Sequence, residues 1–287
     1  MLIQENISIG SKTTMRIGGN ARYFAELVDK KDVEEALAFA QTQNLPFIML
    51  GSGSNTIFAD GTVNALVVRL KNSELSVSES TVRVNAGKNL AMLINELAKQ
   101  NLDLSPLTGI PGTIGGAIFG NAGQGPQGIW IGSFVKEVTA YMDGAWKTFD
   151  HDACEFAYRE SMFKHHKGPL VIWDVALEVP SRPQAQIEAE VQALLQKRIE
   201  TQPHMKTAGS CFKAVNGIPA WKLIDAQGMR GYHVGEVQIA EKHANFLLNT
   251  GKASFHDATK IVNDVQEKIP GLEVEMRFVK EDGTLAF

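Results

Sequence analysis

Apolar and polar positions along the chain follow two periods, one helical and one typical of strands. Within residues 1–70, the segment DVEEALAFAQTQN repeats apolar residues at the 3.6-residue spacing of a helix face, namely Val33, Ala36, Leu37 and Ala40. The runs FIML and ALVVRL are short and apolar, which is typical of buried strands. Residues 1–70 are therefore predicted to form a first domain that mixes helix and strand.

The same two periods continue through residues 71–180. TVRVNAG, VKEVTAYM and LVIWDVALEV have strand patterns, whereas NLAMLINELAKQ carries a helical apolar face made of Leu90, Leu93, Ile94 and Leu97. The pattern predicts a second α+β domain.

The segment PSRPQ at 180–184 contains two prolines and indicates a domain boundary. Residues 181–270 then hold two predicted helices with the apolar faces Ile187, Val191, Leu194, Leu195 and Ala258, Ile261, Val262, Val265. LEVEMRFV, within the terminal segment 271–287, alternates as a strand. We therefore expect an α+β chain with a third domain at 181–270.

Composition narrows the class of protein. The 287 residues are 44% hydrophobic, which is enough for more than one core. The formal net charge is -4, whereas a nucleic-acid-binding protein is expected to have a basic surface. Cys154 and Cys211 are the only cysteines, and neither they nor the scattered histidines have the spacing of a metal site. No signal peptide or membrane-spanning run stands out, so we expect a cytoplasmic protein without metal, nucleic acid or membrane partners.

A first glycine-containing loop follows the predicted strand FIML directly. It consists of Gly51, Ser52, Gly53, Ser54 and Asn55. Consecutive backbone amides in such a loop can bind an anion, although the spacing fits neither the dinucleotide fingerprint nor a P-loop. A tight strand-to-loop connection explains this loop equally well.

A second segment, from Gly109 to Gly123, has six glycines in fifteen residues. Glycine removes side-chain bulk where backbone must approach a flat ring or a diphosphate, and Pro111 stiffens the approach. The segment is apolar rather than serine-rich, which argues against a flexible linker. We interpret it as a cofactor cradle.

Three short segments carry candidate chemical groups. YRESMF presents Arg159 between aromatic residues, AGSCFK presents Ser210 in a turn of small residues, and LEVEMRF places Glu273, Glu275 and Arg277 on one face of a strand. Each has an ordinary structural explanation: a surface arginine, a turn serine and a solvated strand face. No hydrolase triad is evident, and Cys211 is expected to be a buried small hydrophobe.

In this order, the five segments resemble the UDP-N-acetylenolpyruvoylglucosamine reductase family over nearly the whole chain. TTMRIGGNARYF, LIDAQGMRG and AEKHANFLLN add to the resemblance. It implies an FAD-binding fold of the vanillyl-alcohol-oxidase (PCMH) type, with two α+β subdomains around FAD, a third domain over the substrate and a terminal strand returning to the active site. The implied reaction is NADPH-dependent reduction of UDP-N-acetylglucosamine enolpyruvate to UDP-N-acetylmuramate, in peptidoglycan precursor synthesis.

The resemblance also assigns residues. Arg159, Ser210 and Glu275 match the catalytic positions, and we expect Tyr158 and Lys213 to contact the substrate. The FAD-binding positions are the loop 51–55 together with Gly109, Ile110, Pro111, Gly112, Thr113, Gly115, Gly116 and Ala117.

The chain departs from the family pattern at several positions. Ser52 stands where the family commonly has glycine, and Ala214 and Val215 replace an Asn-Pro pair that follows Lys213. The short span after Phe163 is similar to the subclass that lacks an extra substrate-clamping loop.

The residue types suit this chemistry. Hydride addition to an enolpyruvyl ether pushes negative charge toward the conjugated carboxylate, and a fixed cation such as Arg159 would stabilise that charge. A protonated Glu275 could donate a further hydrogen bond, and Ser210 could deliver the proton, with Lys213 as a possible neighbour.

Two other functions are compatible with the sequence. One is an FAD-dependent oxidase of the same fold, and the other is a nucleotide-sugar-binding protein without turnover. For the reductase, we expect a monomer.

Overall fold

The computed structural model describes residues 1–124 and 128–287, and these form two compact units. Unit 1 comprises Met1, Glu26–Leu37 and Arg69–Arg198, and unit 2 comprises Leu2–Ala25, Ala38–Val68 and Ile199–Phe287. The division into domains at 1–70, 71–180 and 181–270 stays a prediction.

Four helices form where apolar residues repeat at helical spacing, which confirms the four predicted from sequence. In chain order, the helices of the described residues are α1 (Lys30–Thr42), α2 (Leu90–Ala98), α3 (Ile114–Phe119), α4 (Met162–His165), α5 (Gln184–Thr201), α6 (Ala220–Ala226) and α7 (Phe255–Lys268). The four predicted ones are α1, α2, α5 and α7. In α5, Ile187 and Val191 pack into a core but Leu195 is 39% exposed. The predicted apolar face of α5 is thus too long, because only its first two turns pack.

The strands have the bounds β1 (Ile3–Ser8), β2 (Asn20–Leu27), β3 (Phe47–Met49), β4 (Thr56–Phe58), β5 (Thr62–Leu70), β6 (Leu75–Ser78), β7 (Thr81–Asn85), β8 (Val135–Met142), β9 (Ala145–Asp150), β10 (Val171–Glu178), β11 (Thr207–Ser210), β12 (His233–Val234), β13 (Val237–Ile239), β14 (Phe246–Asn249) and β15 (Arg277–Val279). Together with the helices, they confirm the predicted α+β composition.

Unit 1 is built on a five-stranded antiparallel sheet in the order β6-β7-β10-β8-β9. Alternating residues of β7, β8 and β10 enter its core, among them Val82, Val138 and Val175. Helix α2 covers this core with the apolar face predicted from sequence, and α3 packs beside it through Ile114 and Ile118. The glycine-rich segment, which contains α3, is hydrogen-bonded to the backbone just after β7.

Unit 2 contains a second antiparallel sheet, β11-β14-β13-β12, against which α7 packs. All four predicted apolar residues of α7 are buried there. Unit 2 also contains β1, β3 and most of β2 and β5, in the order β1-β2-β5-β3, and the parallel pair β15-β4. Because β4 begins directly after the loop 51–55, its pairing with β15 brings the terminal segment next to this loop.

The terminal strand is shorter than its alternating pattern predicts. Leu272, Met276 and Phe278 are buried as expected, but regular pairing covers only Arg277–Val279. The preceding backbone turns instead to the segment after β11, where Val274 forms an isolated bridge with Phe212. This bridge brings the segment containing Glu275 to the end of β11.

Candidate functional site

In unit 1, the glycine-rich segment combines a turn with the short helix α3, which its loop-like composition did not predict. Gly109 and Gly112 have φ of +80° and +125°, where any side chain would be strained. The Thr113 hydroxyl caps α3 by accepting a hydrogen bond from the Gly116 amide at 3.3 Å. The Gly115 amide donates to the carbonyl of Ala86 at 2.8 Å, which fastens the segment to the end of β7.

Gly116 has no such internal reason to be glycine. It is exposed, and among the described residues a Cβ there would meet no heavy atom nearer than the Thr113 hydroxyl at 3.6 Å. Pro111 is also exposed, whereas Ala117 is buried. Bare backbone at Gly116 therefore suits the close approach of a flat ring, which is the fit expected of a flavin cradle.

Arg198, at the end of α5, is a candidate that the sequence interpretation missed. Its side chain lies across Gly109, and a Cβ at Gly109 would overlap the Arg198 side chain. Burial lowers the pKa of the Arg198 guanidinium, which nevertheless remains charged at neutral pH. Arg198 thus places a positive charge on the cradle. The only sequence signal is a Lys-Arg pair at the end of a predicted helix.

Arg159 occupies a strained tight turn in unit 1. The turn is closed by hydrogen bonds between the backbones of Ala157 and Glu160 (3.2 and 3.0 Å), with Arg159 at φ +59°. Left-handed backbone at a residue of this type costs about 1 kcal/mol or more and is common at functional sites. The Lys164 ammonium donates to the Arg159 carbonyl at 2.6 Å, and Arg159 Nη2 donates to the Gly123 carbonyl at 2.9 Å. These bonds hold the guanidinium at the end of the glycine-rich segment.

Tyr158 belongs to the same cluster. Its ring centroid lies 5.5 Å from the Arg159 guanidinium carbon and 6.1 Å from the ring of Trp130. The Ser161 hydroxyl donates to the Phe119 carbonyl at 2.7 Å, which ties the turn to α3. Unit 1 therefore brings Tyr158 and Arg159 together with the glycine-rich segment.

In unit 2, the loop 51–55 is fixed by the N-terminal segment. Gly53 has φ +69°, and a Cβ there would lie 2.6 Å from the Lys12 carbonyl oxygen and 2.7 Å from Thr13 Cα. The Thr14 amide donates to the Gly53 carbonyl at 3.0 Å. Gly53 is therefore required by local packing, as well as by its backbone conformation.

Ser210 ends β11 in unit 2, beside the same loop. The pairing of β11 with β14 is irregular between Thr207 and Ser210, and the intervening Gly209 has φ +78°. A Cβ at Gly209 would lie 3.9 Å from the Ser54 carbonyl oxygen. Irregular pairing at a strand end is common next to active sites because it redirects a side chain.

Glu275 reaches the Ser210 segment through its backbone. Its amide donates to the Cys211 carbonyl at 2.7 Å, and its carbonyl accepts from Asn55 Nδ2 at 3.2 Å. Unit 2 therefore brings the loop 51–55, Ser210 and Glu275 into one cluster. Burial, followed by the charge of Glu275, raises the pKa of the Cys211 thiol, as expected for an inert buried cysteine.

Lys213 has a partner that the sequence interpretation did not foresee. Its ammonium lies 2.5 Å from Glu273 Oε1, and its amide donates to the Glu273 carbonyl at 2.9 Å. The positive charge of Lys213, which was expected near Ser210, is therefore paired with the Glu273 carboxylate. It also ties the terminal segment to the end of β11.

Two family models match different parts of the chain. Residues 21–144 match the family model described as FAD binding domain, and residues 202–278 match that of the UDP-N-acetylenolpyruvoylglucosamine reductase, C-terminal domain. UDP-N-acetylenolpyruvoylglucosamine reductase from Chlamydia felis (strain Fe/C-56) is 32% identical over 286 residues, covering 96% of this chain and 94% of that relative. The enzyme of the same name from Synechococcus sp. (strain JA-3-3Ab) is 32% identical, covering 93% and 86%.

A solved structure has the same architecture. The crystal structure of UDP-N-acetylenolpyruvylglucosamine reductase (MurB) from Thermus caldophilus matches with a TM-score of 0.84 and 31% identity, covering 96% of this chain and 99% of that one.

Fold and sequence together define the class as an FAD-binding oxidoreductase. Within that class, the chain belongs to the UDP-N-acetylenolpyruvoylglucosamine reductase family. FAD is the cofactor of this family, and the backbone at Gly116 fits it.

The described residues contain neither a membrane-spanning helix nor a cluster of metal ligands. Within 1–124 and 128–287, no helix has the length and apolar character needed to cross a bilayer. Across the same residues, no three candidate metal ligands cluster together.

Proposed function

We propose that the chain reduces UDP-N-acetylglucosamine enolpyruvate to UDP-N-acetylmuramate, with NADPH as the source of electrons. The observation that supports the proposal is the cluster in unit 2, where the Asn55 side chain and the Cys211 carbonyl hold the backbone of Glu275 close to the segment that contains Ser210. The loop 51–55, the segment AGSCFK and the terminal segment LEVEMRF form this cluster, and each resembles a motif of the family. The product would serve peptidoglycan synthesis.

Charge development on the substrate decides what the protein must supply. When bound and reduced by NADPH, the flavin would supply the hydride for the terminal carbon of the enolpyruvyl group. Negative charge then accumulates on the carbon that carries the ether oxygen and on the conjugated carboxylate. The protein must stabilise this charge and deliver one proton to that carbon.

Ser210 is proposed as the proton donor. A hydroxyl is a weak acid, so it donates usefully only to a strongly basic centre and only when it is held in position. The end of β11 meets this requirement, since the next residue, Cys211, is bonded through its carbonyl to Glu275 and through its amide to the carbonyl of Asn245 (2.8 Å).

Arg159 is proposed to bind the substrate carboxylate. Its guanidinium is held by the Gly123 carbonyl, and its backbone is fixed by the Lys164 ammonium. A cation fixed in this way is already oriented when charge develops, and removing one such donor typically costs about 3 to 4 kcal/mol of transition-state stabilisation. Tyr158, next to the guanidinium, is proposed as a substrate contact.

Glu275 and Lys213 are proposed to act beside Ser210. A protonated Glu275 carboxyl would donate a hydrogen bond to the substrate acid group, whereas an ionised one would repel it. Lys213 is proposed to contact substrate while paired with Glu273.

The backbone of both glycine-containing loops is proposed to hold FAD. In the loop 51–55, these residues are Gly51, Ser52, Gly53, Ser54 and Asn55. In the cradle, they are Gly109, Ile110, Pro111, Gly112, Thr113, Gly115, Gly116 and Ala117. Arg198 adds a positive charge beside Gly109 that suits an anionic group of the cofactor.

We also propose that the enzyme is cytoplasmic. Both cysteines are free and buried, which suits a reducing compartment such as the cytoplasm. A monomeric enzyme stays a prediction.

The experiment that tests the function separates the two half-reactions. Under anaerobic conditions, NADPH should bleach the flavin absorbance of the purified protein, and UDP-N-acetylglucosamine enolpyruvate should restore it. Restoration by oxygen with release of peroxide, and none by the enolpyruvyl sugar, would instead indicate an oxidase.

Ser210→Ala tests the proton donor. Flavin reduction by NADPH should remain within about twofold of wild type, because no substrate proton transfer is involved. Reoxidation by the enolpyruvyl sugar should slow by about 10²- to 10⁴-fold, the usual contribution of a positioned acid. Equal losses in both half-reactions, measured by stopped-flow absorbance, would refute the assignment.

A further inference from the structure

Asn245 binds the backbone just after Ser210 through three hydrogen bonds. Its backbone carbonyl accepts from the Cys211 amide at 2.8 Å. Its side chain accepts from the Phe212 amide at 2.9 Å and donates to the Phe212 carbonyl at 2.8 Å. We propose that Asn245 is a positioning residue that holds Ser210 in the orientation needed for proton delivery.

The strand ladder alone leaves this segment poorly held. The pairing of β11 with β14 is irregular between Thr207 and Ser210, where Gly209 has φ +78°. Immediately beyond Ser210, the Asn245 side chain supplies one acceptor and one donor to Phe212, as a neighbouring strand would. Asn245 thus continues the ladder where β11 loses its regular pairing.

The opposite side of the segment is held by the residues around Glu275. The Cys211 carbonyl accepts from the Glu275 amide at 2.7 Å, and Phe212 forms a bridge with Val274. The backbone after Ser210 is therefore held on one side by Asn245 and on the other by the terminal segment. A shift on the Asn245 side changes the position of Ser210 relative to Glu275.

Asn245 lies in the interior and is only 6% exposed. Water therefore cannot readily replace the bonds that its side chain makes, and a buried polar group left unsatisfied is costly. The inference rests on the proposed role of Ser210. A misplacement of about 1 Å at a reacting group can cost about 10²-fold in rate, so the orientation of this backbone matters for catalysis.

Asn245→Asp is the informative variant because it changes one chemical property and almost no volume. An ionised carboxylate still accepts from the Phe212 amide, but it repels the Phe212 carbonyl. On the alkaline side of the pH profile, we expect reoxidation by the enolpyruvyl sugar to slow by about 10²-fold. Flavin reduction by NADPH should stay within about twofold of wild type.

The pH profile supplies a readout that a merely structural role would not move. A protonated carboxyl offers one donor and one acceptor, as the amide does. As the pH is lowered from about 9 to about 6, the reoxidation rate of Asn245→Asp should therefore recover toward wild type, since burial favours the neutral acid. Asn245→Ala, which has neither group, should be slow at every pH.

Asn249→Asp is the matched control. Asn249 ends β14, which begins directly after Asn245, and is 3% exposed. Its side chain donates to the Met15 carbonyl at 2.9 Å and accepts from the Gly251 amide at 3.0 Å. Its side chain does not touch the backbone after Ser210 in any of these bonds. Asn249→Asp should lower the melting temperature without a selective loss of reoxidation.

The outcomes separate this inference from the proposed function. If Ser210→Ala leaves reoxidation unchanged, the proposed function of Ser210 is wrong, whatever Asn245 does. If Ser210→Ala slows reoxidation but Asn245→Asp behaves like Asn249→Asp, or slows both half-reactions equally, the positioning role is refuted. Loss of folded flavoprotein in both Asn245→Asp and Asn245→Ala would likewise show a purely structural role.

Discussion

Individual glycines in the two loops do different work. Gly53 is enclosed by the backbone of Lys12 and Thr13, and its φ of +69° excludes side chains. Gly116 lies in the first turn of α3, with room for a Cβ among the described residues. The first glycine is therefore required by the fold, whereas the second suits a ligand.

Replacing each of these glycines by alanine should separate stability from flavin binding. Gly53→Ala should lower the free energy of unfolding by about 2 kcal/mol or more, because strain and overlap combine. Gly116→Ala should leave it unchanged or raise it by up to about 1 kcal/mol, since alanine favours helix. Gly116→Ala should nevertheless weaken FAD binding by about tenfold or more, equivalent to about 1.4 kcal/mol.

Urea unfolding of the flavin-free protein and titration with FAD measure the two quantities. Unchanged FAD affinity in Gly116→Ala would contradict the proposal that a ring packs on this residue.

At the scale of elements, α7 shows how local chemistry sets a helix boundary. The Ser254 hydroxyl accepts from the Asp257 amide at 3.0 Å, and the Asp257 carboxylate accepts from the Ser254 amide at 3.2 Å. This capping box satisfies two backbone donors at the helix end. The amide of Phe255 donates to both carboxylate oxygens of Asp60 at 2.9 Å. The start of α7 is thus defined by hydrogen bonds as well as by its buried face.

Ser254→Ala should destabilise the protein by about 1 kcal/mol through loss of the cap, within a usual range of about 0.5 to 2 kcal/mol. Thr259→Ala is the control, because its hydroxyl bonds to the His256 carbonyl at 2.9 Å within the same helix and does not cap the helix start. That variant should be neutral or slightly stabilising, since alanine favours helix. Circular dichroism during urea unfolding measures both, and equal losses would argue against the cap.

At the scale of the whole molecule, each compact unit contains one buried thiol. Cys154 lies in the core of unit 1 and Cys211 in the core of unit 2. Burial, followed by the charge of Asp150, raises the pKa of the Cys154 thiol to about 12. The pKa of the Cys211 thiol is raised for similar reasons, with burial again the larger cause. Both thiols are therefore protonated and inaccessible in the folded protein at neutral pH.

These shifts predict a loss of stability in alkali. Below the ordinary thiol pKa of 9.0, both folded and unfolded states hold the proton, so the thiols have no effect on the pH dependence. Above it, only the unfolded state loses the proton readily, and the free energy of unfolding should fall until the folded pKa of about 12 is reached for Cys154.

Cys154→Ala should reduce this alkaline slope, measured by urea unfolding between about pH 8 and pH 10. At pH 8, a thiol reagent followed by mass spectrometry should label neither cysteine in the native protein and both in denaturant. Rapid labelling of either native thiol would contradict the burial described.

The sequence predicted the four longest helices, several of the strands and the positions of the main motifs. Four helices were predicted because their apolar faces repeat over several turns, and a period of that length is readily recognised. The motifs located Ser210, Arg159 and the glycine-containing loops because glycine and charged residues stand out from an apolar background. Their expected roles came from the order of the motifs along the chain.

Which of these residues lie together, and which hydrogen bonds hold them, depends on contacts between distant parts of the chain. The roles of Asn245 and Arg198 depend on contacts across 33 and 89 residues of chain, to Phe212 and Gly109, for which no local pattern exists. The shortened terminal strand has the same cause, because backbone groups of the terminal segment pair with Cys211 instead of with a neighbouring strand. Periodicity reports how one segment buries its own apolar face, whereas hydrogen-bond partners distant in sequence are chosen only when the chain has folded.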